Sequence, residues 1–260
     1  MANSMSKNKI LFIVEGTSDE VKFLRRLFQT CFKKKQCEIY SYRTNIHVLA
    51  QELYNNYPDF DTDSIDIRLV LKSLENDKNQ RKLLDEHYND IYLIFDFEPQ
   101  HDHPHFDTVQ RMLRYFNDST NQGKLFINYP MMQSYKHFAV LPDPSFESRK
   151  VSVQDTHSYK EIVGKESNFT DLGKYDYILF YSLCVHHVKK ANLVLSSVYA
   201  LPSCSTYLDW SQVDIFDLQV SMVEASSELF VLNTCIFILV DFAPDKFFRF
   251  VANHSQDLLV

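Results

Sequence analysis

Residues 9–15, KILFIVE, and residues 91–96, IYLIFD, are short runs in which apolar side chains follow one another without alternation and an acid closes the run. A segment of that length that is apolar on both faces fits a strand buried between two layers of a parallel sheet, with its acid at the carboxyl end. After the first run the spacing changes. Val21, Phe23, Leu24, Leu27, Phe28 and Cys31 recur at helical intervals, with Ser18 as N-cap and Asp19 and Glu20 in the first turn. Further along, the pattern predicts a strand over 37–42, a helix over 46–57, a long amphipathic helix over 65–87, a helix over 107–116, a strand over 124–128 and a helix from Pro130 to about Phe138. This alternation predicts an α/β domain with a largely parallel sheet flanked by helices. Right-handed crossovers then gather the carboxyl ends of the strands on one edge, where ligand sites collect.

Pro142 and Pro144 mark a change of texture, so residues 1–143 are expected to form the α/β domain and 144–260 a mainly helical C-terminal region packing on it or on a partner. The tracts 175–199 and 213–242 read as mainly helical. Leu229 to Phe242 is apolar enough to require burial, yet Asn233 interrupts it and Asp241 stands near its end, which argues for core and against a membrane span. A chain of 260 residues can bury such a core without a disulfide or metal scaffold.

Counting excludes several classes. The four glycines, Gly16, Gly123, Gly164 and Gly173, are too dispersed to build a dinucleotide fingerprint, a P-loop or a serine-hydrolase elbow. A net charge of -7 argues against coating nucleic acid through bulk electrostatics, though it leaves room for a local basic track. Five cysteines without a CxxC pair fit reduced thiols and a cytoplasmic protein, and the polar start MANSMSKNKI is unlike a secretion signal.

The chemistry suggested by the residues centres on the two strand-terminal acids. Adjacent parallel strands lie about 4.8 Å apart, so Glu15 and Asp96 can converge on one hard cation, for which Mg2+ is the natural choice. Glu98 shares the side of Asp96 if the strand continues. Asp19, in the first helical turn, could ligate a second ion, and Lys136 is a candidate phosphate contact. The competing reading of each acid alone is a turn or cap residue. Weaker features are His101, His103 and His105 in HDHPH, which could bind a transition metal but also describe a solvated loop, and the pair His186 and His187. Lys33, Lys34, Lys35, Lys189 and Lys190 could track phosphates, and Tyr40, Tyr42, Tyr129 and Tyr135 could stack bases, although solvation and packing are the commoner uses of both.

VEGxxDExxFL on a strand-to-helix step, followed by a separate apolar strand ending in D-x-E, resembles the Toprim domain shared by topoisomerases, primases, small maturation nucleases and OLD-type nucleases of bacterial defence. The resemblance covers roughly residues 9–138. It implies that Glu15 corresponds to the glutamate of the first motif, Asp96 to the first acid of the DxD motif, Glu98 to its second acid in a conservative replacement, and Asp19 to an acid used for a second metal in nuclease branches. Those branches place a further acid on the helix after a later strand, where this chain has Gln133. The resemblance thus implies a metal-dependent nuclease using Mg2+ or Mn2+ on DNA or RNA, of the stand-alone kind found in abortive-infection (anti-phage) systems. An ATPase partner would then be a separate chain, and self-association is left open. The alternative is a catalytically degenerate Toprim binding subunit of a multi-protein complex.

Overall fold

The computed structural model describes residues 9–32, 35–59 and 65–258, so Lys33 and Lys34 of the basic run lie outside the described residues. Both acid-terminated runs are strands at the centre of a sheet. The first half of the chain runs β1 (Lys9–Val14), α1 (Asp19–Cys31), β2 (Gln36–Ser41), α2 (Ile46–Asn56), α3 (Ile67–Leu74), α4 (Lys78–Leu84), β3 (Asp90–Asp96), α5 (Phe106–Tyr115), β4 (Asn117–Asp118) and β5 (Gly123–Asn128). Among the described residues these strands form one sheet in the order β2-β1-β3-β5-β4, parallel except for the short β4 at the edge. The expected α/β class and largely parallel sheet are therefore what the chain adopts.

Strand order dictates the layers. The step from β1 to β2 runs one way along the sheet, whereas the steps from β2 to β3 and from β3 to β5 run the other, so right-handed crossovers put α1 on one face and α2 and α5 together on the opposite face. Phe12, Tyr92 and Phe126 stack across three neighbouring strands on the α1 face, with ring centroids 5.6 and 6.0 Å apart. Phe28 of α1 meets Phe12 edge-on, and Phe242 from the far end of the chain closes over both Phe28 and Tyr92.

The C-terminal region supplies β6 (Lys150–Ser152), α6 (Tyr159–Glu166), α7 (Tyr177–Ser196), α8 (Cys204–Leu208), α9 (Gln212–Ser226), β7 (Glu228–Phe230), α10 (Ile238–Asp241) and α11 (Pro244–Asn253). It straddles the sheet, with α7 against α1 and α9 against α5 and β5. The tract from Leu229 to Val240 is almost wholly buried within the chain, and one contiguous apolar core draws residues from both halves. Among the described residues no helix is long and apolar enough to cross a membrane.

Four local expectations are corrected. The long helix over 65–87 is two short ones, because the Asp77 carboxylate accepts from the N–H groups of Asn79 and Gln80 and starts a new helix where the apolar spacing alone suggests continuity. The helix from Pro130 shrinks to one 3₁₀ turn, Met132–Lys136. The helix over 213–242 stops at Ser227, whose φ of +56° is left-handed, and the chain continues as β7, paired antiparallel with β6. Ser18 does occupy the cap position of α1, but its hydroxyl makes no capping bond. The carboxylate of Glu20 curls back over Gly16 instead, so a Cβ there would have to push that carboxylate aside.

Candidate active site

β1 and β3 are neighbours whose onward connections leave in opposite directions, so a crevice opens between the loops at their carboxyl ends, the usual ligand position in a doubly wound sheet. Register then fixes the two acids. Val14 lies opposite Ile94 and Asp96 opposite Asn128, so Glu15 leaves β1 level with the last residues of β3. The Glu15 carboxylate turns across the ladder, where its Oε2 accepts the Asp96 backbone N–H at 3.2 Å. Asn128, at the end of β5, donates from Nδ2 to Asp96 Oδ1 at 3.4 Å, while its own Oδ1 accepts the Cys235 N–H at 3.2 Å. One buried amide therefore orients Asp96 and fastens it to the C-terminal tract.

Glu98 reaches the crevice by a different route from the one its spacing suggests. β3 stops at Asp96, and Glu98 sits in the left-handed region at φ +44°, so the two-residue alternation of a strand does not relate the pair. Buried His47 holds the turn. Its Nδ1 accepts the His105 N–H at 3.2 Å, so the ring proton resides on Nε2, which donates to the Glu98 carbonyl at 3.2 Å. Burial keeps that imidazole neutral, with its pKa pushed down to about 4. His101, His103 and His105 belong to this exposed or half-exposed loop. The crevice is an open concavity of about 510 Å³ bordered by Glu15, Gly16, Thr17, Arg43, Thr44, Asn45 and Glu98.

The electrostatics are one-sided. Among the described residues none of Glu15, Asp96 and Glu98 is paired with a lysine or arginine. Burial, reinforced by the charge of Glu98, raises the Glu15 carboxyl to about 8, with the Asp96 N–H opposing the shift. Burial and then the charges of Glu15 and Glu20 push Asp96 well above the carboxylate range. Glu98 is raised by burial, and His101 and a hydrogen bond from Asn45 pull it back. Desolvation is thus the first cause in every case, and repulsion between carboxylates is the second for Glu15 and Asp96.

Asp19 lies differently. Its Oδ2 accepts from Gln133 Nε2 at 2.6 Å and pairs with Lys160 Nζ at 2.7 Å, so although burial alone would raise its pKa, these partners bring it below the ordinary value. Lys136, half-buried on the 3₁₀ turn, faces this group. Burial lowers its pKa, against the opposing charge of Asp19. Gln133 and Lys160 thus both engage Oδ2 of Asp19.

Arg43 is a residue of the crevice that sequence reasoning missed. It follows β2 as Glu15 follows β1, its N–H donates to the Glu15 carbonyl at 2.9 Å, and its backbone is held at φ +69°. Pairing β2 beside β1 in parallel was the signal that would have found it. Several weaker candidates are structural instead. Lys190 is buried, and its ammonium donates to the carbonyls of Phe146, Glu147 and Arg149. His187 accepts from the Asn233 N–H and meets the Tyr135 carbonyl, and Tyr40, Tyr129 and Tyr135 are core side chains.

Among the described residues no three histidine, cysteine, aspartate or glutamate side chains stand as a ready-made metal cage. Magnesium commonly takes only one or two carboxylates and fills its octahedron with water and substrate phosphate. Two half-buried carboxylates, Glu15 and Asp96, without a lysine or arginine partner among the described residues, suit that mode. Fold and site together define a doubly wound α/β protein with an acidic crevice at its switch point. No family model matches the chain, and no curated protein or solved structure matches it significantly.

Proposed function

We propose that the protein is a Mg2+- or Mn2+-dependent nuclease of Toprim type that cleaves phosphodiester bonds in DNA or RNA. The observation that carries this reading is the pair Glu15 and Asp96, half-buried at the carboxyl ends of adjacent parallel strands and uncompensated by any cationic side chain among the described residues. Glu15 and Asp96 would hold the ion. When bound, it supplies Lewis acidity toward a phosphodiester and makes bound water a better nucleophile. Asn128 orients Asp96 by donating to its Oδ1. Glu98, a partly buried carboxyl with a raised pKa, takes a proton from water at a carboxylate oxygen. Arg43 at the rim and Lys136 beside Asp19 contact the phosphates on either side. The Toprim resemblance extends the reading to a defence effector working beside a separate ATPase.

The test is cleavage of mixed DNA and RNA substrates by chelator-treated protein as magnesium or manganese is restored. Glu15→Gln and Asp96→Asn, which imitate the protonated acids, are expected to remain folded and to lose at least ~100-fold in rate, a transition-state deficit of ~2.7 kcal/mol. Wild-type rates in both variants would overturn the assignment. One observation favours a second reading, a non-catalytic binding subunit: Asp19 is already engaged by Gln133 and Lys160. Metal-independent nucleic-acid binding without cleavage is the outcome that would select it.

A further inference from the structure

At the amino end of β5, on the far side of the sheet from the acids, a cavity of about 280 Å³ lies between α5, α8 and α10. Aromatic residues Phe116, Tyr207, Trp210 and Phe237 line it, together with Lys124 and Asp241. Lys124 and Asn128 are four residues apart on one strand, which places this cavity roughly 13 Å from the crevice along the strand. It is a separate site. At just under the ~300 Å³ of the smallest drug-sized pockets, it has room for a single heterocycle with its sugar.

The polar groups define an edge. Asp241, whose side chain is 9 % exposed, sets its Oδ2 2.7 Å from Lys124 Nζ. Among the described residues its Oδ1 meets only the Tyr207 hydroxyl, at 3.4 Å, the long limit of a hydrogen bond. The cavity thus presents a cationic donor beside a carboxylate with one poorly satisfied oxygen, and burial raises the Asp241 carboxyl despite the lysine. A ligand that brings an acceptor to Lys124 and two parallel donors to the carboxylate satisfies all of these groups at once. Among nucleobases the Watson–Crick edge of guanine carries that sequence: O6 accepts, and N1–H and the N2 amino group donate. Adenine has a single donor group there, and cytosine offers one donor and two acceptors. Aromatic walls suit the π-face of a base, as in other sites that take up unstacked bases.

We propose that this cavity binds the guanine base of a free nucleoside or nucleotide, with Asp241 accepting from N1 and N2, Lys124 donating to O6, and the aromatic walls holding the ring. The assignment is independent of the metal crevice. Trp210 is the only tryptophan in the sequence, so its fluorescence reports on this cavity alone. Titration of the full chain with guanosine and with GMP is expected to give saturable quenching. Inosine, which lacks the N2 amino group, should bind about tenfold more weakly, the loss of one charge-assisted hydrogen bond, and cytidine should not saturate. Asp241→Asn should abolish the preference for guanosine over inosine. The ligand series needs no variant, so it decides the matter even if Asp241→Asn fails to fold. Absence of saturable quenching by guanosine, or equal quenching by all the nucleosides, overturns the proposal.

Discussion

Glu15 is a carboxyl whose pKa the fold raises, and its sign has a direct consequence for stability. In the unfolded chain it titrates near 4.5 and in the folded chain near 8. The native state therefore binds its proton more tightly, so this group's contribution is fully present below about pH 4.5 and is lost as pH rises through about 8. The folded protein should melt progressively earlier across that window, and Glu15→Gln should flatten the loss; thermal melts at half-unit pH steps check this. Added magnesium should restore more of the melting temperature at pH 8 to wild type than to Glu15→Gln, because the ion stabilises the state that holds the charge. A parallel pH slope in both proteins would contradict the burial assigned to Glu15.

At the scale of elements, α2 and the crevice share a residue. Asn45 Oδ1 accepts the Val48 N–H at 3.0 Å and so caps α2, while its side chain also hydrogen-bonds Glu98. Asn45→Ala should lower stability by ~1 kcal/mol in urea unfolding. Asn45→Asp should preserve the cap yet set a like charge against Glu98, shifting the acidic limb of any pH–rate profile upward. The strands that carry the acids were legible in the sequence because an unbroken apolar run closed by an acid has few other foldings. What was hidden depends on contacts distant in sequence. Asp77 splits a helix whose apolar spacing continues across it, β7 exists only because β6 is there to pair with it, and the turn at Glu98 is set by a histidine fifty-one residues earlier. The crevice acids could be named in advance; Arg43 and Asn128 needed the strand order.

For the whole molecule, the interdependence of the halves matters most. Phe242 covers Tyr92 and Phe28, Thr234 Oγ1 donates to the Ile127 carbonyl at 2.8 Å, and Lys124 pairs with Asp241. Truncation after Asp143 removes packing from both faces of the sheet, so the product should be insoluble or lack a cooperative unfolding transition, which expression and circular dichroism would show. A soluble, cooperatively folding fragment would mean that the C-terminal region is dispensable for the core. The position of the two acids carries one more consequence. Glu15 and Asp96 issue from central strands, each flanked by a hydrogen-bonded neighbour on both sides, so their separation is set by the ladder itself and the site has no jaws. Such a crevice cannot tighten around what enters it by hinge motion. Asp96 closes β3 and Glu15 stands one residue past β1, whereas Glu98 lies two residues beyond β3 in a left-handed turn, so adjustment to an incoming ligand falls chiefly to that carboxylate.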